Sequence, residues 1–160
     1  MLVFFRVDDR LVHGQVVEGW IPAMEIQSVV VISDEMAGDE LRQNMMRFAT
    51  PAGIHIQIVS VNDAPEVLRK IEKNDLRTMA VMPGLDEAVK IMKAGIKIPS
   101  LNLGGTVYTA CRNLFAGNAV FLKDAEKKMI FDIAEKGTKL DCRGVPTDDP
   151  IDVMEIAARK

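Results

Sequence analysis

The sequence predicts an α/β fold built on a parallel sheet, and three observations predict it. Short apolar runs recur along the chain, and each is followed by a segment with helical periodicity, the alternation that βαβ crossovers produce. The runs are rich in Val and Ile without a polar face, as strands covered on both sides must be. No Pro/Gly/Ser-rich linker, repeat or charge block divides the 160 residues, so residues 1–160 read as one domain, long enough to bury a core without disulfides or a structural metal.

Taken in order, the strand candidates are Leu2–Val7, Ser28–Ile32, Ile54–Val59 and Met79–Met82, then Ile98–Leu103, Ala119–Leu122 and Thr138–Cys142. The first helix is predicted to begin near Gly14 and run through Val16, Val17 and Trp20 toward Pro22. Later stripes lie at Leu41, Met45, Phe48 and Ala49, at Ala64, Val67, Leu68 and Ile71, and at Leu85, Ala88, Val89 and Met92, each able to cover one sheet face. Asn62 reads as an N-cap, Pro65 sits in a first turn where its missing N–H costs little, and Gly95 stops the helix before it. The ten methionines fall partly on these stripes and read as core filler. Residues 146–150 form a hinge leading to an amphipathic tail with Ile151, Met154, Ile156 and Ala157, which docks locally or on a partner.

Composition removes several function classes. Apolar residues make up 48% and charged residues 27%, ordinary values for a globular chain. A net charge of -3 and a pI near 5.4 supply no overall basic surface for nucleic acid. No apolar run approaches the roughly 20 residues that span a bilayer, and the opening Met-Leu-Val-Phe-Phe-Arg lacks signal-peptide anatomy, so a cytoplasmic location is expected. Cys111 and Cys142 belong to no Cys-x-x-Cys pair and read as reduced, buried thiols.

Ligands of open parallel sheets bind beyond the carboxyl ends of the strands, which directs attention to the loop after Val7, Asp8-Asp9-Arg10-Leu11-Val12-His13-Gly14-Gln15. His13 lies just before a helix, where free N–H groups favour an anionic phosphoryl group. Arg10 can bind phosphoryl oxygens bidentately, and Asp8 or Asp9 can hold the second imidazole N–H or orient Arg10. Transfer of a phosphoryl group between imidazoles needs little beyond in-line positioning and charge stabilisation, and these residues are sufficient equipment for it. The bland reading of the same His is a cap or a hydrogen-bonded loop residue. A metal-dependent hydrolase built on Asp8, Asp9 and His13 is a further reading, but no HExxH or second His/Cys pair completes a ligand set.

The string Arg6-Val7-Asp8-Asp9-Arg10-Leu11-Val12-His13-Gly14-Gln15-Val16 closely resembles the opening of the mannose/fructose/sorbose-family IIB components of sugar phosphotransferase systems, whose phosphorylated histidine sits in an Asp-Arg-Leu-x-His-Gly-Gln-Val context. The resemblance continues through residues 29–35, 45–53 and 102–105. It implies an open, mainly parallel sheet of about seven strands with helices on both faces. It also implies a relay in which a IIA phosphohistidine donates to His13, which passes the group to a sugar entering through membrane IIC and IID components. His13 is then the phosphoryl acceptor, Arg10 its stabiliser and Asp9 an orienter, with Gly14, Gln15, Asn102, Gly104 and Gly105 lining the phosphate. No metal or organic cofactor is expected, nucleic acid is not a partner, and self-association into a homo-oligomer is left open. Location at the inner face of the plasma membrane would follow from binding the permease. After Gly105 the chain reads Thr-Val-Tyr-Thr-Ala-Cys, a departure from the family pattern that motivates an alternative, a regulatory module whose phosphorylation changes partner binding without feeding a permease. His55 reads as a strand residue at the end opposite the site, and Arg6 and Trp20 as packing or partner-surface residues.

Overall fold

A computed structural model describes residues 1–116 and 122–158. Its sheet contains β1 (Leu2–Val7), β2 (Ser28–Ile32), β3 (His55–Val59), β4 (Thr78–Met82), β5 (Ser100–Leu103) and β6 (Lys139–Cys142), in the order β3-β2-β4-β1-β5-β6. All five pairings are parallel. The α/β class and parallel sheet are therefore as predicted, with six strands among the described residues. The strand expected over Ala119–Leu122 lies outside the described residues except for Leu122, which is buried.

Period-two alternation distributes each strand between two cores. Val30 and Ile32 of β2, with Ala80 and Met82 of β4 and Phe5 and Val7 of β1, face one core, which is closed by α4 (Ala64–Ile71), α5 (Leu85–Lys93), α6 (Gly105–Phe115), α7 (Asp124–Glu135) and α8 (Val153–Ala158). Val29, Val31, Met79 and Val81 face the second core. That side is covered by α1, which begins as a wide π-type helix over Gln15–Trp20 and closes with an α turn over Ile21–Ala23, and by α2 (Asp34–Ala37) and α3 (Glu40–Ala49). The tail docks locally, with Ile156 and Ala157 buried in the first core.

Pro65 sits in the first turn of α4 and Gly95 follows α5 at φ +88°, both as expected. Asp63 rather than Asn62 holds the N-cap position of α4, one residue later than the cap expected from sequence. The stripe on α3 is a correction. Leu41, Met45 and Phe48 are 72%, 64% and 94% exposed, and Met46 is the α3 residue that packs on the second core. Met36 of α2, held by the Ser33 N-cap, is buried in this core, and α3 reaches it through Met46. The two cysteines, distant in sequence, are buried neighbours, and the hydrogen bond with Cys111 together with burial pushes the Cys142 thiol up.

The topology opens a crevice beside β1. The chain leaves β1 toward β2 on one side of the sheet and leaves β5 toward β6 on the other, so the connections diverge between these adjacent strands. Ligand sites of open sheets form where connections diverge in this way. His13 and the Asn102–Gly105 segment follow from these two strands.

Candidate functional site

The loop from Asp8 to Gly14 is fixed by two kinds of anchor. Leu11 and Val12 are buried in the second core, and Leu11 adopts a left-handed backbone at φ 55° to get there. Such a conformation costs a branched residue about 1–2 kcal/mol, which the burial of its side chain offsets. The carboxylate of Asp8 accepts the backbone N–H of Arg10 at 3.1 Å, and the Asp8 carbonyl accepts that of Leu11 at 2.9 Å. His13 is thereby presented immediately before α1, its side chain 16% exposed.

The Nε2 atom of His13 lies 2.8 Å from Oδ2 of Asp8. An ionised carboxylate only accepts, so this contact calls for a hydrogen on Nε2, and in the neutral ring that arrangement leaves the lone pair on Nδ1. Burial alone pushes the Asp8 carboxyl up, but the hydrogen bond from His13 and the charge of Arg6 outweigh it and hold the group below the usual carboxylate range. Of the two aspartates left open by the sequence, Asp8 meets the imidazole. Asp9, the expected orienter, instead accepts the backbone N–H of Thr106 at 2.8 Å, at the start of α6. The correction has a simple cause: Asp8 is at the end of β1 with its side chain directed under the loop, whereas Asp9 begins the turn and reaches across to β5's exit.

Arg6 is the residue that sequence reasoning undervalued. Its side chain is fully buried, and its Nη2 donates to Asp8 Oδ2 at 2.7 Å while Nε lies 3.2 Å from the same oxygen. The other edge of the guanidinium donates to the Asn102 side chain and to the carbonyls of Arg143, at 3.1 Å, and Gly144, at 3.2 Å. Burial draws its pKa down and the adjacent Asp8 charge opposes that, so the pair stays ionised. The register explains the cluster. Arg6 pairs with Asn102 and Asn102 with Asp141, which puts all three on one face across β1, β5 and β6. Asn102 donates to Asp141 Oδ2 at 2.9 Å, and Arg143 binds the same carboxylate through Nε at 2.8 Å and Nη2 at 3.0 Å.

Trp20 closes this polar ladder. The centroid of its ring lies 5.5 Å from the guanidinium carbons of both Arg6 and Arg143, within cation–π range, and Phe4 stacks on it at 4.7 Å. Its Nε1 donates to the Gly144 carbonyl at 2.9 Å, the oxygen that also accepts from Arg6. Sequence offered one signal for all this: charged and amide residues at period two inside strands that otherwise alternate among apolar residues.

The remaining expected residues gather at the same end of the sheet. Arg10 is 53% exposed, donates from Nη2 to Gln15 Oε1 at 2.8 Å and has its Nε 3.7 Å from Asp8 Oδ1. Gly14 and Gln15 line a groove of about 520 Å³ that is walled on its far side by Val145, Pro146 and Thr147. Gly104 and Gly105 serve close approach: a Cβ on Gly104 would fall within the Arg6 guanidinium, and one on Gly105, which has φ +53°, would strike the Asp9 carboxylate. His55 begins β3 at the opposite end of the sheet, as expected. Among the described residues no helix is long and apolar enough to cross a membrane.

Comparison with known proteins agrees with this geometry. The family model described as the sorbose subfamily IIB component of the phosphotransferase system matches residues 2–160. The chain is 29% identical over 154 residues to the sorbose-specific EIIB component of Lacticaseibacillus casei, covering 96% of this chain and 93% of the relative. It is 26% identical over 155 residues to the fructose-specific EIIB component of Bacillus subtilis, covering 97% and 94%. Against the mannose-specific EIIAB component of Escherichia coli the identity is 27%, and the match covers 96% of this chain but 47% of that longer protein. The crystal structure of the IIBSor domain of the sorbose permease from Klebsiella pneumoniae shares the fold with a TM-score of 0.81 at 23% identity, over 96% of this chain and 94% of that one. A parallel sheet with its crevice beside His13 and a family match running from the first strand to the end of the chain have one reading: this protein belongs to the sorbose subfamily of phosphotransferase-system IIB components.

Proposed function

We propose that this chain is a phosphocarrier in which His13 Nδ1 accepts a phosphoryl group from a IIA phosphohistidine and passes it to a sugar imported through IIC and IID membrane components. The observation that supports the reading is the 2.8 Å contact between His13 Nε2 and Asp8, since with the ring hydrogen on Nε2 the lone pair of Nδ1 is the nucleophile. In the first transfer the Nδ1 lone pair forms the new N–P bond as the donor's N–P bond breaks and returns its electron pair to the donor ring. The His13 ring then carries positive charge, which Asp8 stabilises through Nε2–H. Arg10, exposed and already at the mouth of the loop, exchanges its Gln15 contact for the phosphoryl oxygens. Gly14 and Gln15, next to His13 in the loop, border the position of the group, whereas Asn102, Gly104 and Gly105, expected from sequence to line it, are buried against Arg6, Asp141 and Asp9 and support the loop from below. In the second transfer a sugar hydroxyl attacks phosphorus, the new O–P bond forms as the N–P bond breaks, the hydroxyl proton passes to solvent, and the N–P electron pair returns to Nδ1.

Fusion of IIA and IIB parts in the mannose-specific EIIAB protein of Escherichia coli, as its name records, supports a IIA donor. The test is to incubate the purified protein with phosphoenolpyruvate, the general phosphotransferase proteins and a IIA partner, and to map acid-labile phosphate by mass spectrometry. We expect label confined to His13 and absent from His13→Ala, with unchanged circular dichroism. Label persisting in the variant at an undiminished rate would refute the assignment. Arg10→Ala is expected to slow labelling on the order of 100-fold, the cost of removing one strong electrostatic donor.

A further inference from the structure

We infer that Arg6 is a positioning residue for this transfer, clamping Asp8 so that His13 keeps its hydrogen on Nε2 and its lone pair on Nδ1, and tying that orientation to the segment from Arg143 to Asp148. The inference rests on the phosphocarrier reading and extends it to a residue that acts on the imidazole only through Asp8.

Two donors of one guanidinium converge on Asp8 Oδ2, the same oxygen that meets His13. A lysine ammonium is a point charge with no fixed direction, whereas the arginine fork sets two coplanar donors on Oδ2 while the Arg10 backbone N–H holds Oδ1, so both oxygens of the carboxylate are fixed. With the rotation of Asp8 fixed, the imidazole has one acceptor, at one place, for one of its nitrogens. A neutral histidine left to itself exchanges between tautomers, and a fraction of molecules would then present a protonated, unreactive Nδ1. The opposite edge of Arg6 is held as firmly, by Asn102 and by two backbone carbonyls of the segment after β6. That segment is itself braced: Asp148 accepts the N–H groups of Gly144, at 2.8 Å, and Val145, at 3.0 Å. Its Val145, Pro146 and Thr147 form the wall of the groove opposite Gly14 and Gln15. Arg6 is therefore the mechanical link between the imidazole and the far wall of the groove, and a partner that presses on this wall acts on the orientation of His13.

A merely structural Arg6 would neutralise Asp8, a task that a lysine ammonium in its place would also perform, so Arg6→Lys separates the two roles. The ring nitrogens of His13 in ¹⁵N-labelled protein report the tautomer directly and need no phosphoryl donor. In the wild type we expect the Nε2–H form to dominate at pH values where the ring is neutral. Arg6→Lys should show a mixture of tautomers, and labelling from phospho-IIA should fall about 10- to 100-fold at saturating donor with little change in donor KM, as for loss of orientation. A folded Arg6→Lys variant with the wild-type tautomer and rate would overturn the inference, as would a wild type whose His13 carries its hydrogen on Nδ1. Should Arg6→Lys fail to fold, Asn102→Ala decides. It removes the side chain that holds the outer edge of the guanidinium, so we expect a partial tautomer mixture and a rate several-fold lower, and wild-type behaviour in both would overturn the inference. Absence of label in the wild type, with the Nε2–H tautomer present, would count against the phosphocarrier reading alone.

Discussion

The two faces of the sheet are made by different chemistry. Beneath α4 to α8 every strand contributes apolar side chains, and Leu68, Ile91, Leu101, Leu103 and Ile130 are completely buried there. Across β1, β5 and β6 on the other face, the positions that would complete an apolar layer hold Arg6, Asn102 and Asp141. Burying an ion pair contributes little net stability, because desolvation consumes most of the Coulombic gain, and well-packed apolar residues do as well or better. The first face accordingly holds the fold together, whereas the second gives up stability for a fixed arrangement of charge beneath His13.

Breaking each face should have a different signature. Asp8→Asn is expected to have the largest effect, because it leaves Arg6 buried with its charge uncompensated, at a cost of about 3–5 kcal/mol in denaturant unfolding at neutral pH. The same comparison sharpens with acid. The Asp8 carboxyl is held below its ordinary value of 3.8 in the fold, so its contribution is complete above that value and is lost as pH falls through the lower folded one. The stability gap between wild type and Asp8→Asn should therefore narrow toward pH 3, and a gap that is constant with pH would mean that Asp8 is not ionised in the fold. On the apolar face, Leu68→Ala is expected to cost about 2–5 kcal/mol, with the labelling rate per folded molecule unchanged. A loss of rate there would show that the two faces are coupled. At the small end, Phe48→Ser on the exposed side of α3 should change stability by no more than about 0.5 kcal/mol, since the ring buries almost nothing.

The same contrast explains what could be read from the sequence. Burial on both sides leaves Val and Ile in unbroken runs, so β2 and β4 were legible, and the stripes on α4 and α5 repeat at helical spacing because each covers a complete sheet surface. The stripe at Leu41, Met45 and Phe48 has the same spacing but faces solvent, and periodicity carries no information about what lies beneath a helix. His13 was legible because its loop follows a central strand and resembles a known motif. Arg6 was not, since its importance comes from partners 96, 137 and 138 residues away. Asp8 and Asp9 are adjacent and chemically identical, and only the exit direction of β1 decides which one faces the imidazole. Cys111 and Cys142 are likewise joined by the return of the chain from α6 to β6, which no local pattern records.

Trp20 is the sole tryptophan in the chain, 2% exposed, and it packs against the guanidinium groups of Arg6 and Arg143 while donating to the Gly144 carbonyl beside the groove wall. The protein thus carries an intrinsic fluorophore at the position where the two meet. Emission from a shielded indole lies to the blue, and its intensity depends on nearby cations and on the hydrogen bond at Nε1. Unlabelled protein can therefore be followed in real time during mixing with a donor or a membrane partner, and any rearrangement of the Arg143–Gly144 segment is reported by a single, unambiguous chromophore.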